Sequence, residues 1–416
     1  LFSFPTIIDV MFWARAGLAA LALLWSGLAT AQTCTPVYQA SPPALNACAD
    51  EGRVSISLVG DVLLHGALQR QGYALGFDSI WGEAVPFLQE TNIAVANLEG
   101  PVAPGIRRSG SQGHDPGAVF DDVVYTSYPM FNYNPVLLRD LKAAGVDLVS
   151  TANNHSLDRF GQGADATIDL LEAEGIAYTG TVRQEAAREF VTWTRSPLGQ
   201  IAWIACTFST NGIADRHDQV LMCYDDQDEV LALVRDQAAR PEVGGVIVLT
   251  HWGVEYTTNP SRRDRDLARA LVGAGAIAVV GTHPHVVQPW EIVPVSSGQV
   301  PVIYSTGNFV SGQPGLERET GMIARLELCR TAPTEDLARS LDSRLAVAQA
   351  GWIAVRMTRT STSRSLSVAD ENGVARFAQP SHDLIERLVP GYGLSPRLAC
   401  NGGARGADAA LRVLLQ

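Results

Sequence analysis

The chain has 416 residues, of which 46% are hydrophobic and 18% charged. Those are globular proportions, with enough core for one large domain or two ordinary ones. The net charge is -12 and no basic stripe interrupts it, which argues against a nucleic-acid partner; a polyanionic ligand would need cations gathered locally.

The first residues read as an address. The segment "MFWARAGLAALALLWSGLATAQ" has one positive residue, Arg15, then an apolar run, then Ala29-Thr30-Ala31. This is the pattern of a secretory signal over residues 1–31, cleaved before Gln32. Ser26 and Gly27 interrupt the run, leaving it short of the roughly 20 apolar residues a span needs. The expected location is therefore exported, periplasmic or extracellular, with membrane association through an uncleaved N-terminus as the alternative. No other segment is apolar enough for a stable membrane span.

Residues 32–52 are rich in Pro, Ala and Ser and read as a linker. Six cysteines follow the signal: Cys34, Cys48, Cys206, Cys223, Cys329 and Cys400. An even count in an oxidising compartment predicts disulfides. Proximity in sequence suggests Cys34–Cys48, Cys206–Cys223 and Cys329–Cys400. None belongs to a C-x-x-C pair, which points away from a thiolate zinc site.

Ordered patterning begins at "VSISLVGD", and apolar β-type runs then alternate with helical stretches. In "NPVLLRDLKAAG", Asn134 is the expected N-cap, Pro135 the first helical residue and Gly145 the stop. Leu137, Leu141 and Ala144 form its inner face. "GQGADATIDLLEAEG" places Ala164, Ile168 and Leu171 on one face, and "RRDRDLARALVGAG" does so with Leu267, Ala270, Leu271 and Ala274. Alternation of this kind predicts an α/β fold. Beyond about residue 330, "GWIAVRMTRTSTSRSLSV" alternates and suggests a terminal hairpin on the main domain. Residues 391–416 read as a C-terminal extension without chemistry.

Polar groups collect where the strands stop. The apolar runs lead into Asp61, Glu99, Asn154 with His155, His251, His283 with His285, and Asn308. In open α/β sheets, ligands bind at the carboxyl ends of strands. Each motif has a plainer reading: Asn153 and Asn154 also suit a turn, and Asp158 also suits a helix cap. Together they suggest metal binding. Imidazole suits Zn and Fe, and oxygen ligands suit Mn. A carboxylate shared by two ions, with a histidine on each, would generate a nucleophile from water near neutral pH. His65, four residues after Asp61, could reach the same place or lie at the rim.

The blocks "VGDVLLHGAL", "ANLEGPV", "DLVSTANNHSLDRFGQG", "VLTHWGVEY", "GTHPHVVQPWE" and "VIYSTGNFV" occur in this order. They resemble the bacterial capsule synthesis protein CapA family, linked to poly-γ-glutamate and belonging to the calcineurin-like metallophosphoesterase superfamily. The resemblance runs from about Val54 to Val310 and loosely to about 390. It implies an α/β fold, a four-layer αββα metallophosphoesterase-like sandwich over residues 53–390. It also implies a centre for two divalent ions, Mn, Zn or Fe. Asp61, Glu99, Asn154, His251, His283 and His285 would be the metal ligands, His155 the acid beside them, and Asp158 its orienter. The superfamily's opening Asp-x-His is absent here, with His65 as a candidate substitute.

Two functions compete. One is a metal-dependent hydrolase acting on a phosphoester or on the amide of a γ-glutamyl polymer. The other is a non-catalytic accessory that binds or guides an anionic capsule polymer, with a capsule synthase complex as its partner. For the second, Arg107, Arg108, Arg159, Arg262, Arg263 and Arg265 would hold carboxylates bidentately.

Overall fold

Residue for residue, the central strands are too apolar to face water on either side. Val54–Leu63 is buried at nine of its ten positions, and Ile93–Leu98 and Val243–His251 are buried throughout. Such strands require cover on both faces, as parallel sheets have. The computed structural model describes residues 34–296, 298–331, 344–368 and 378–400; the signal expected over 1–31 lies outside them.

Two sheets result. The first runs, in spatial order, Arg364–Val368, Leu345–Arg359, Thr320–Arg330, Val54–Leu63, Ile93–Leu98, Leu148–Ser150 and Ala177–Thr179, with Asn308–Ser311 also paired to Val54–Leu63. The second runs Trp290–Val295, Gly298–Ile303, Ala276–Thr282, Val243–His251, Gly199–Thr207 and Val191–Ser196. Between them lies a core that draws Ile56, Val95 and Leu326 from the first sheet and Trp203, Ile247 and Val280 from the second. Leu68, Trp81, Leu137, Leu141 and Leu171 cover the first sheet from outside. Val230, Val234, Leu267 and Leu271 cover the second. The architecture is the expected αββα sandwich, built by burying both faces of each sheet.

The helices form where the sequence signals place them, but the helix Val136–Ala143 starts one residue later than expected, with Pro135 at its N-cap. Asn134 Oδ1 accepts the Val136 N–H at 3.0 Å, and Gly145 takes φ +100° at the stop. In Arg262–Ala274 the inner face is Leu267, Ala268, Leu271 and Val272. Ala270 and Ala274 are only half-buried, so the face is rotated from the expected one. Ser261 and Asp264 close a capping box at its start, which satisfies two of its free N–H groups. Residues from 345 to 368 form the expected hairpin, which extends the first sheet.

Residues 34–52, read as a linker, are packed against the domain. Cys34–Tyr38 pairs antiparallel with Pro396–Cys400, Ala44 bridges Gln349, and Cys48 is disulfide-bonded to Cys329. Leu394 packs into the core over Gly351, so the ordered domain continues past residue 390. Cys206–Cys223 forms as expected. The Cys48–Cys329 bond excludes the expected Cys34–Cys48 and Cys329–Cys400 pairs. Sequence proximity misled because the segment folds back across the sheet, which brings positions 281 residues apart into contact.

One crossover fastens the two sheets together. The chain leaves the second sheet at Ile303 and enters the first at Asn308. On the way Thr306 N–H donates to Gly281 O at 3.1 Å, and Gly307 O accepts from Asp61 N–H at 3.3 Å. A Cβ on Gly60 would stand 1.7 Å from Gly307 O, and one on Gly281 would stand 2.1 Å from Tyr304 O. Glycine therefore precedes Asp61 and stands two residues before His283 because backbone passes directly over both positions.

Candidate metal centre

The two sheets each supply half of one buried cluster. Asp61, Glu99 and Asn154 come from the first sheet, and His251, His283 and His285 from the second. All six are at most 3% exposed. Glu99, His251 and His283 offer ligand atoms within 4.8 Å of one another, and so do Asp61, Glu99 and His285. Glu99 belongs to both groups.

Asp61 is held from two sides. Its Oδ1 accepts from Asn97 Nδ2 at 2.8 Å, and its Oδ2 lies 3.0 Å from His285 Nδ1. His285 Nδ1 also faces Asn308 Oδ1 at 3.0 Å. His283 and His285 both adopt positive φ, +98° and +57°. The turn thus carries strain that only a demanding site repays, with Pro284 stiffening it between them.

Glu99 is the least satisfied group. Neither carboxylate oxygen has a hydrogen-bond partner, though both are buried. Oε1 lies 3.7 Å from His251 Nε2 and 3.9 Å from His285 Nε2. Burial, and then the Asp61 carboxylate, push the Glu99 carboxyl well above its ordinary range. Without a cation, the pair relieves its repulsion through a proton held at Glu99. His283 Nδ1 is likewise buried and unpartnered. Burial, and then His285, lower the His283 imidazole to about 3; burial and then His283 lower His251 well below the usual histidine range. Neutral imidazoles beside orphaned carboxylate oxygens make a donor set that suits a divalent cation.

His251 Nε2 contacts Asn154 Oδ1 at 2.9 Å, and its Nδ1 contacts Thr282 Oγ1 at 2.9 Å. With the proton on Nδ1 and directed at Thr282, Nε2 and Asn154 Oδ1 are both free to face a cation. A partner on the far ring nitrogen is the usual way a ligating imidazole is oriented.

His155 stands in the turn after Leu148–Ser150. Its Nδ1 lies 2.7 Å from Asp158 Oδ2, which also accepts the Phe131 N–H at 2.6 Å. Its Nε2 makes no hydrogen bond among the described residues. Phe131 meets the ring edge-on at 4.8 Å. Burial raises the Asp158 carboxyl, against the opposing pull of His155.

The other expectations fare unequally. His65 is half-buried and accepts from Gly312 N–H at 3.2 Å through Nδ1, with its ring edge on Phe131 at 5.4 Å. It belongs to neither ligand group; the imidazole beside Asp61 is His285. Arg159 is fully buried, and its guanidinium bonds Ile106 O, Val124 O, Phe131 O, Asp158 O and Thr126 Oγ1. It is unavailable to a polymer. Arg108 pairs with Asp122, and Arg262 with Asp266. Asn97 and Thr282 were missed in the sequence. The signal for Asn97 was a polar residue inside a fully buried apolar strand.

A fold of two packed sheets with a buried His/Asp/Glu cluster at their shared edge defines the class. The bacterial capsule synthesis protein PGA_cap family model matches residues 55–313. The chain belongs to that family. It is 25% identical over 296 residues to the PGA biosynthesis protein CapA of Bacillus subtilis (strain 168), covering 70% of this chain and 69% of that one. It is 26% identical over 266 residues to the capsule biosynthesis protein CapA of Bacillus anthracis, covering 63% and 60%. Among solved structures, Haemophilus influenzae NAD nucleotidase (NadN) aligns at a TM-score of 0.42 and 10% identity, covering 81% of this chain and 57% of that one. No helix among the described residues is long and apolar enough to cross a membrane.

Proposed function

We propose that the chain is an exported, CapA-like hydrolase of the metallophosphoesterase type that works with two divalent ions, Mn, Zn or Fe, on an anionic substrate. The observation that carries this is Glu99: a carboxylate with both oxygens buried and unpartnered, shared by two groups of imidazole and carboxylate donors. His251, His283 and Asn154 would hold one ion, Asp61 and His285 the other, with Glu99 between them. When bound, the ions would supply Lewis acidity and a nucleophile near neutral pH.

The chain's own residues do the rest. Asp158 fixes the His155 ring through Nδ1, leaving Nε2 directed to whatever occupies the pocket. As water adds to the phosphorus or carbonyl carbon, His155 Nε2 takes up the proton that water gives up and passes it to the departing oxygen or nitrogen as that bond breaks. Asn97 and Asn308 keep Asp61 and His285 in place. Phe131 packs on the His155 ring, Phe208 packs on the His283 ring at 4.3 Å, and Tyr133 Oη donates to Glu99 O at 2.7 Å. Membership of the capsule synthesis family supports a capsule polymer, a γ-glutamyl amide or a phosphoester as substrate, and a capsule synthase complex as partner.

The test combines elemental analysis with a screen of phosphoesters and γ-glutamyl peptides, with and without Mn and Zn. His283→Ala should lower metal content. His155→Ala should keep most metal and lose about 10²–10⁴-fold in turnover. Equal metal loss in both variants would move His155 among the ligands. Full activity without metal would remove the hydrolase reading, and a metal-loaded protein that binds polymer without turnover would leave the accessory role.

A further inference from the structure

Arg318 sits in the short turn Leu316–Glu319, tied to the centre through its backbone. Its carbonyl accepts from Asn308 Nδ2 at 2.9 Å, and Asn308 Oδ1 in turn faces His285. The guanidinium carbon lies 5.1 Å from the centroid of the Tyr256 ring, and that ring lies 6.1 Å from the His285 ring. No carboxylate pairs with Arg318 among the described residues. Its neighbours Arg356 and Arg359 are both engaged by Glu319. A half-buried guanidinium with no acidic partner retains its full capacity for an incoming anion.

Tyr256 makes the position deliberate. The ring is 50% exposed, yet the residue adopts φ +63°. A left-handed conformation is costly for a bulky residue, and an exposed ring recovers little of that cost by burial. The conformation is enforced from two sides: Tyr256 N–H donates to Pro284 O at 2.8 Å, and Gln313 Nε2 donates to Tyr256 Oη at 3.3 Å. The ring is thereby placed within reach of both His285 and Arg318, whose guanidinium lies over its face. The chain as a whole carries -12 and Glu255 beside the ring is exposed, so a cation outside the centre helps an anion to approach.

We propose that Arg318, stacked on Tyr256 at the mouth of the centre, recognises the anionic group of the substrate, a carboxylate or a phosphate. This rests on the reading of the centre as the reaction site. A planar fork matches either anion with two parallel N–H···O bonds, which an ammonium cannot do.

The experiment is equilibrium calorimetry on the metal-loaded full chain, with inorganic phosphate and tri-γ-glutamate as separate probes. The variants are Arg318→Ala, Arg318→Lys and Tyr256→Ala, with metal content and thermal midpoint recorded for each. Arg318→Ala should bind one of the probes about tenfold more weakly or worse, as loss of a charge-assisted bond implies, with metal content unchanged. The probe affected tells a carboxylate substrate from a phosphate one. Arg318→Lys should recover part of the loss, and Tyr256→Ala should share it. Affinity of Arg318→Ala within about twofold of the parent for both probes, or a parent that binds neither, overturns the assignment. Arg318-dependent binding without turnover would sustain it while removing the hydrolase reading.

Discussion

Replacing Glu99 with glutamine should stabilise the metal-free protein and destabilise the metal-loaded one. Glu99 is fully buried, and both its oxygens lack a hydrogen-bond donor. Burial and Asp61 raise its carboxyl well above the ordinary 4.5. A carboxyl raised in the folded state contributes stability that is complete below the unfolded value and is lost as pH rises through the folded one. Raising the pH from 4 to 8 moves the metal-free protein toward that loss. A buried, unpaired charged group costs at least about 1–3 kcal/mol. Glutamine removes the charge, and its Nε2 can donate to Asp61. Glu99→Gln without metal should therefore gain on the parent as pH rises from 4 to 8, by up to about 1–3 kcal/mol as Glu99 ionises. With saturating metal the order should reverse, because binding at 100 times Kd is worth about 2.7 kcal/mol and the variant lacks the shared ligand. Urea midpoints of both proteins, with and without metal and at both pH values, read this directly. Comparing the two proteins at one pH cancels the titration of the histidines. A variant less stable than the parent without metal at pH 8, yet equally stabilised by metal, would refute the assignment of Glu99 as the shared ligand.

The buried imidazoles should hold metal in mild acid. His283 is lowered to about 3 by burial and by His285, and His251 well below 6.5, so no proton need be displaced from either at pH 5.5. Dialysis at that pH followed by elemental analysis should leave most of the metal in place; loss of half by pH 6.5 would contradict it. The same depression means that the metal-free protein holds this stability above pH 6.5 and loses it as pH falls toward the folded values, which acid melts will show. Arg159→Met should cost at least about 3 kcal/mol in a urea melt, because four carbonyls and one hydroxyl lose a charged donor. Retained stability with lost polymer affinity would return Arg159 to a ligand-binding role.

The chemistry of this protein is written locally. Asp61, Glu99, Asn154, His251, His283 and His285 each follow or end an apolar run, so the chain itself marks them as groups at strand exits. A strand's residues announce themselves by burial on both faces, and helix signals such as the Gly145 stop act over a few residues. What no local pattern carries is which strand lies beside which. Three of these residues leave one sheet and three leave another, and Glu99 becomes shared only where the two meet. The crossover at 304–307, held over Gly60 and Gly281, decides that meeting. The same non-locality joined Cys48 to Cys329 instead of to Cys34. It also set His65 aside in favour of His285, which reaches Asp61 from 224 positions along the chain. Arg159 and Arg318 look alike in the sequence, and only packing separates them: one is enclosed among carbonyls, the other left without an acid beside a tyrosine. Backbone periodicity is a short-range property and can be read along the chain. Partner choice depends on how two sheets bury their faces against each other, and that is settled only when the whole core closes.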